Sequence, residues 1–105
     1  MYDICISKMF FEWDDDKEKC NLLKHGIDFQ TAKMVFADPN RIERYDELHS
    51  TEDEDRFITI GMINGVYIVI ALVYTERDEV IRIISSRRAT EKERREYHEH
   101  CKSNT

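Results

Sequence analysis

At 105 residues the chain has room for one small domain that buries roughly 60% of its unfolded surface, and a second domain has no space. Sixteen Lys and Arg against 22 Asp and Glu leave a net charge of −6, which argues against nonspecific attachment to DNA or to an anionic membrane. Cys5, Cys20 and Cys101 are odd in number and widely spaced, so they argue against a disulfide framework or a zinc site and suit a reducing cytoplasm.

Residues 1 to 9 read as a loosely ordered leader without the basic region, apolar run or cleavage site of a secretory signal, and no window has the length of a membrane span. Phe10, Phe11 and Trp13 then predict a short aromatic edge strand. Asp14 is an N-cap signal followed by acidic residues in the first turn, and Cys20, Leu23 and Ile27 predict the apolar stripe of a first helix ended by Gly26. Asp28 caps a second helix whose core face is Phe29, Ala32, Val35 and Phe36, and which stops at Asp38-Pro39. The two form a helical hairpin. Arg41 to Asp46 reads as a polar strand, and His49 to Asp55 as an acidic loop. Arg56 to Met62 and Val66 to Tyr74 predict two strands joined by an Asn64-Gly65 turn, and a further turn over Glu76 to Glu79 leads to a strand over Val80 to Arg88. Thr90 to Glu93 is a capping box that opens a polar C-terminal helix with Tyr97 as its anchor. The elements make an α+β fold: a short N-terminal strand and a helical hairpin on a mainly antiparallel sheet, with a C-terminal helix.

Arginines punctuate the last strand. Arg77 precedes it, Arg82 lies inside it, and Arg87 and Arg88 close it. Without a bulge, simple alternation puts Arg82 and Arg88 on one side with Val80, Ile84 and Ser86, and Ile81, Ile83 and Arg87 on the other. An arginine within an apolar strand needs a carboxylate or another anion. Two readings stay open at this point: structural ion pairs, or several guanidiniums converging on phosphate. Charge is also uneven along the chain. Arg77 to Arg95 holds seven basic residues against four acidic ones, while Asp38 to Arg56 holds eight acidic against three basic. Such a chain could bring its basic stretch to RNA, with the acidic 46 to 55 region expected on the side away from it. No phosphate-binding glycine loop, metal-ligand spacing or serine elbow is present. Lys24 and His25 at a helix end, the arginines, Arg56, Tyr74 and Tyr97 remain as candidates. Lys24 and His25 also suit the negative end of the helix dipole, and the tyrosines suit packing.

The stretch FEWDDDKEKCNLLKHGIDFQTAKMVFADP, then RFITIG, then VYTERDEVIRIISSRRATEKERREY, resembles the BrnT family of type II toxin–antitoxin ribonuclease toxins from Phe11 to about Tyr97. The K-H-G-I-D-F junction, the V-F-A-D-P stop and the R-I-I-S-S-R-R-A-T-E-K-E-R run carry most of it. Two departures are the long leader and Ser86, where a small Ala is common. The resemblance implies a RelE-like fold and a metal-independent endoribonuclease with no cofactor that cleaves RNA and arrests translation. It also implies neutralisation by a cognate ribbon-helix-helix antitoxin in a heterotetramer or other antitoxin-bridged oligomer, which reaches operator DNA only through the antitoxin. Such chemistry needs an acid and a base near neutral pH and cations on the phosphate. Lys24, His25, Arg77, Arg82 and Arg87 are the catalytic candidates, with Arg56 and Arg88 as weaker phosphate-binding ones. A noncatalytic module that grips an antitoxin and co-represses its operon is the alternative.

Overall fold

The computed structural model describes residues 9–63 and 68–103. The expected leader up to residue 8 and the Asn64-Gly65 turn lie outside the described residues. Local signals set the first half of the chain. The Asp14 carboxylate accepts from the amides of Asp16 and Lys17 and opens α1, Asp15–His25. Gly26 closes it in the left-handed region at φ 74°, where a Cβ is penalised, and its amide donates to the Leu22 carbonyl. Asp28 accepts from Thr31 and opens α2, Phe29–Ala32, which tightens into a 3-10 segment over Lys33–Ala37. Glu18 of α1 satisfies the Phe29 amide as well, so the first helix of the hairpin helps to cap the second. The chain leaves helical geometry at Asp38, next to Pro39, as the sequence predicts.

Among the described residues five strands form one sheet: β1, Phe10–Glu12; β2, Ile42–Tyr45; β3, Phe57–Ile63; β4, Ile68–Arg77; β5, Val80–Arg88. Their order is β1-β5-β4-β3-β2, with β1 parallel to β5 and all other neighbours antiparallel. The β4–β5 turn is tighter than expected. Only Asp78 and Glu79 lie between the strands, and both have positive φ, the geometry of a type I′ hairpin.

Each face of the sheet has its own cover. On one face Phe29, Ala32, Val35 and Phe36 pack onto Ile63, Ile70, Leu72, Tyr74, Ile81 and Ile83, with Phe36 edge-on to Tyr74 at 5.2 Å. On the other, Tyr97 of α3, Glu91–Ser103, packs with Ile60, Val69 and Ala71. Asp38 ties the two layers at one end of the sheet, because its Oδ2 accepts from the Met62 amide at 2.8 Å and from the Tyr97 hydroxyl. Among the described residues no helix is long and apolar enough to cross a membrane.

Two expectations are corrected. The first concerns α1, where Cys20 and Leu23 are exposed and the buried residue is Asn21. Strand β1 pairs with β5 only as far as Arg82, so among the described residues the outer edge of β5 has no strand beside Ser86. Asn21 takes that place. Its carboxamide accepts from the Ser86 amide at 3.1 Å and donates to the Ser86 carbonyl at 2.9 Å, as a neighbouring strand would. The second concerns alternation along β5. Tyr74 faces Ile83 whereas Val73 faces Ser85, so Ile84 is an extra residue and a β-bulge. Beyond it every side chain changes sides.

Candidate functional site

The bulge decides which arginines share a surface. Arg82 pairs across the sheet with Thr75, Arg87 with Ala71 and Arg88 with Ile70. Partners across a ladder share a face, and residues two apart along β4 do as well, so Arg77, Arg82 and Arg87 lie on the α3 side while Arg88 lies on the other. The expected pairing of Arg82 with Arg88 is therefore replaced by Arg82 with Arg87.

Helix α3 covers only part of that side. Beside it runs a groove of about 550 Å³, floored by Ile58, Val73 and Ser85 and bounded by Arg87 and Glu93 on one flank and by Arg44, Asp46 and His49 on the other. Ile58, Val73 and Ser85 stand in register on β3, β4 and β5, which is why they form a continuous floor. The acidic segment after β2 is thus not remote from the arginines, as expected, but packs against them. Two local bonds bring it there: Thr75 donates to the Asp55 carbonyl at 2.7 Å, and Asp46 and Arg56 are joined by a backbone hydrogen bond at 2.8 Å.

Arg87 is the most firmly built cation of the groove. Its two terminal nitrogens reach both oxygens of Glu93 at 2.7 and 3.1 Å, a bidentate pair. Glu93 is itself fixed, because it accepts from the Thr90 amide at 2.8 Å and donates its own amide to the Thr90 hydroxyl, which completes the predicted capping box. The hydrogen bond to Glu93 raises the Arg87 pKa further above its ordinary value. Burial pushes the Glu93 carboxyl up, but the bonds from Arg87 and Thr90 outweigh it and hold the group below the usual carboxylate range. A guanidinium has five N–H donors. With Glu93 on two and the Arg88 carbonyl on a third, donors are left over for a further oxygen.

On the opposite flank His49 Nδ1 and Asp46 Oδ2 lie 2.8 Å apart. An ionised carboxylate only accepts, so Nδ1 carries the hydrogen of that bond and Nε2 faces away from it. Arg44 on the same flank is held by Glu96 of α3. None of Asp46, His49, Arg44 or Glu93 stands out as a site residue in the sequence. The signal that could have found the first two is an Asp-x-x-His spacing between strands, and its meaning depends on the distant Arg87.

The other predicted residues do not all converge. Arg77 pairs with Glu54 at 3.3 Å, and Arg56 with the same carboxylate at 2.7 Å; the Arg56 bond holds the Glu54 carboxyl below its usual range. Arg82 pairs with Glu12 across the β1–β5 ladder at 3.4 Å, with both side chains more than a third exposed. Such pairs are weak, worth about 0 to 1 kcal/mol each. Lys24 and His25 line a separate hollow of about 360 Å³ between α1 and β5 that meets the groove at Ser85. Arg88 lines a third hollow with Arg94 and His98. Tyr74 donates to Glu43, and burial followed by that carboxylate pushes its hydroxyl up to about 12, so it is no proton acceptor near neutral pH. Burial and then Asp38 push the Tyr97 hydroxyl up as well, in keeping with its role as an anchor.

Residues 13–93 match a family model described as the ribonuclease toxin, BrnT, of type II toxin–antitoxin systems. No curated protein matches the chain.

Proposed function

From the premise that this chain belongs to the BrnT family of ribonuclease toxins of type II toxin–antitoxin systems, we propose that it is a metal-independent endoribonuclease that arrests translation by cutting RNA in the groove beside α3. The observation that carries this reading is Arg87, a guanidinium fixed at the rim of a groove and still holding N–H donors for a phosphate oxygen. Charge that develops on phosphate during cleavage is stabilised by such a preorganised cation without the cost of turning water. Arg82 and Arg77, on the same side of the sheet, extend the cationic track for the strand that enters the groove. Glu12 and Glu54 give way when phosphate arrives, because the pairs of Arg82 and Arg77 are worth little, and Glu54 keeps its bond from Arg56. Lys24 and His25, in the hollow that meets the groove at Ser85, grip a flanking phosphate. Arg56, held by Glu54, supports the loop rather than the substrate.

Neutralisation falls to a cognate antitoxin with a ribbon-helix-helix region, through which the pair reaches operator DNA, and the toxin acts in the cytoplasm. The test is purified toxin incubated with messenger RNA in excess chelator, in parallel with its R87A variant. Cleavage by the first and a loss of about 100-fold or more by the second are expected. Intact RNA in both would remove the nuclease.

A second reading, a noncatalytic module that binds an antitoxin and co-represses its operon, draws on the ion pairs of Arg77, Arg82 and Arg87 with Glu54, Glu12 and Glu93. It predicts operator binding by the complex with no RNA scission by the toxin alone.

A further inference from the structure

We propose that His49, held by Asp46, is the general base of the cleavage and touches the 2′-hydroxyl of the RNA. The proposal rests on the ribonuclease reading above and assigns the proton acceptor that it lacks. Three observations lead to it. His49 and Arg87 stand on opposite flanks of one groove, so a phosphodiester lying on the Ser85 floor has an imidazole on one side and a guanidinium on the other. The 2.8 Å contact from Nδ1 to Asp46 fixes the ring and its tautomer, which leaves the basic Nε2 available. The Asp46 side chain is 11% exposed and that of His49 is 60% exposed, so the partner that orients is partly buried and the one that reacts is open to substrate.

Nε2 takes the proton of the 2′-hydroxyl, whose oxygen forms a bond to the adjacent phosphorus. The bond from phosphorus to the 5′ oxygen breaks, and that oxygen takes a proton from water in the open groove. Arg87 neutralises the charge on the nonbridging oxygens. The products are a 2′,3′-cyclic phosphate and a 5′-hydroxyl, and the imidazolium returns its proton to water. Asp46 is a positioning residue. The charged groups around His49 are Asp46 and Glu47 on its own segment, Arg44 on β2, Arg87 on β5 and Glu93 on α3, with the Tyr45 phenol also on β2.

The experiment measures kcat/KM against pH for wild type, H49A, H49Q and D46N, with a thermal melt for each. Wild type is expected to gain rate as pH rises and then level off, because only the neutral ring accepts a proton. H49A and H49Q are expected to lose about 100-fold or more in kcat with KM little changed and with that rising limb gone, and free imidazole should restore part of the H49A rate. D46N should keep the limb at a lower rate. Two results overturn the assignment while leaving the nuclease intact: folded H49A and H49Q with wild-type rate, or a loss of rate in them with the limb retained. Loss of the limb in H25A but not in H49A would overturn it too. RNA left whole by the wild-type chain would remove the underlying activity and the base with it.

Discussion

The carboxamide of Asn21 stands in for a strand at Ser86: it accepts from the Ser86 amide, donates to the Ser86 carbonyl and hydroxyl, and also reaches the Ile27 carbonyl. One buried side chain therefore satisfies the open edge of β5 one residue before Arg87. Asn21→Ala leaves the Ser86 amide and carbonyl without these partners, while the Ser86 hydroxyl keeps its bond to the Ile27 carbonyl, and is expected to cost about 2 to 3 kcal/mol in a denaturant melt. Arg87 loses its fixed position at the same time, so RNA cleavage should fall more than the folded fraction does. A melt and a rate both equal to wild type would show that the edge finds other partners.

Glu79 pays a conformational cost that nothing at its position returns. It sits at φ 67° in the two-residue β4–β5 turn, a region where glycine is at ease and a Cβ is crowded. Glu79→Gly is expected to stabilise the fold by about 0.5 to 1 kcal/mol, partly offset by the greater freedom glycine gives the unfolded chain. Comparison with Glu79→Ala, which keeps the Cβ and removes the charge, separates geometry from electrostatics. Equal gains in both would attribute the effect to charge.

Gly61 has the opposite requirement. A Cβ there would lie 2.7 Å from Val35 Cγ2 and 3.1 Å from Asp38 Oδ2, so the 3-10 segment and the Asp38 junction would both have to move. Gly61→Ala is expected to destabilise by about 1 to 3 kcal/mol. Because Asp38 accepts from Tyr97, the docking of α3 should weaken as well, visible as faster hydrogen exchange along α3. Unchanged exchange in α3 with a lowered melt would confine the damage to the helical hairpin.

The sequence discloses what short-range chemistry controls. Asp14, Gly26, Asp28 and the Thr90 to Glu93 box announce their helix ends because each cap is made within a few residues. The core face of Phe29, Ala32, Val35 and Phe36 follows from helical spacing, and the strand from Val80 from its β-branched run. What escapes is set by distant partners. The bulge at Ile84 exists only in the register with β4, and it reverses the side on which Arg87 and Arg88 fall. The buried face of α1 is chosen by the unpaired edge at Ser86 rather than by the Cys20 and Leu23 spacing. The groove joins His49 and Arg87 across 38 positions of chain, so neither the length of the acidic loop nor its composition marks where it lies.

Glu93 holds Arg87 and caps α3 at once, and a single substitution separates these roles. Glutamine at this position keeps the capping geometry but carries no charge. The carboxyl of Glu93 is held below its ordinary range in the fold, so its ionised form stabilises the native state above about pH 4.3, and that contribution fades as pH falls through the lower folded value. E93Q is therefore expected to lose about 1 to 2 kcal/mol at pH 7, with the gap to wild type closing toward pH 3. Its effect on RNA has the other sign. With the negative charge gone, Arg87 keeps its place through neutral hydrogen bonds and attracts phosphate more strongly, so KM is expected to fall several-fold at low salt and less so at high salt. Stability curves that stay parallel from pH 7 to 3 would show that the charge of Glu93 does not hold the junction. A KM raised by E93Q would show that the ion pair itself positions Arg87 for the substrate.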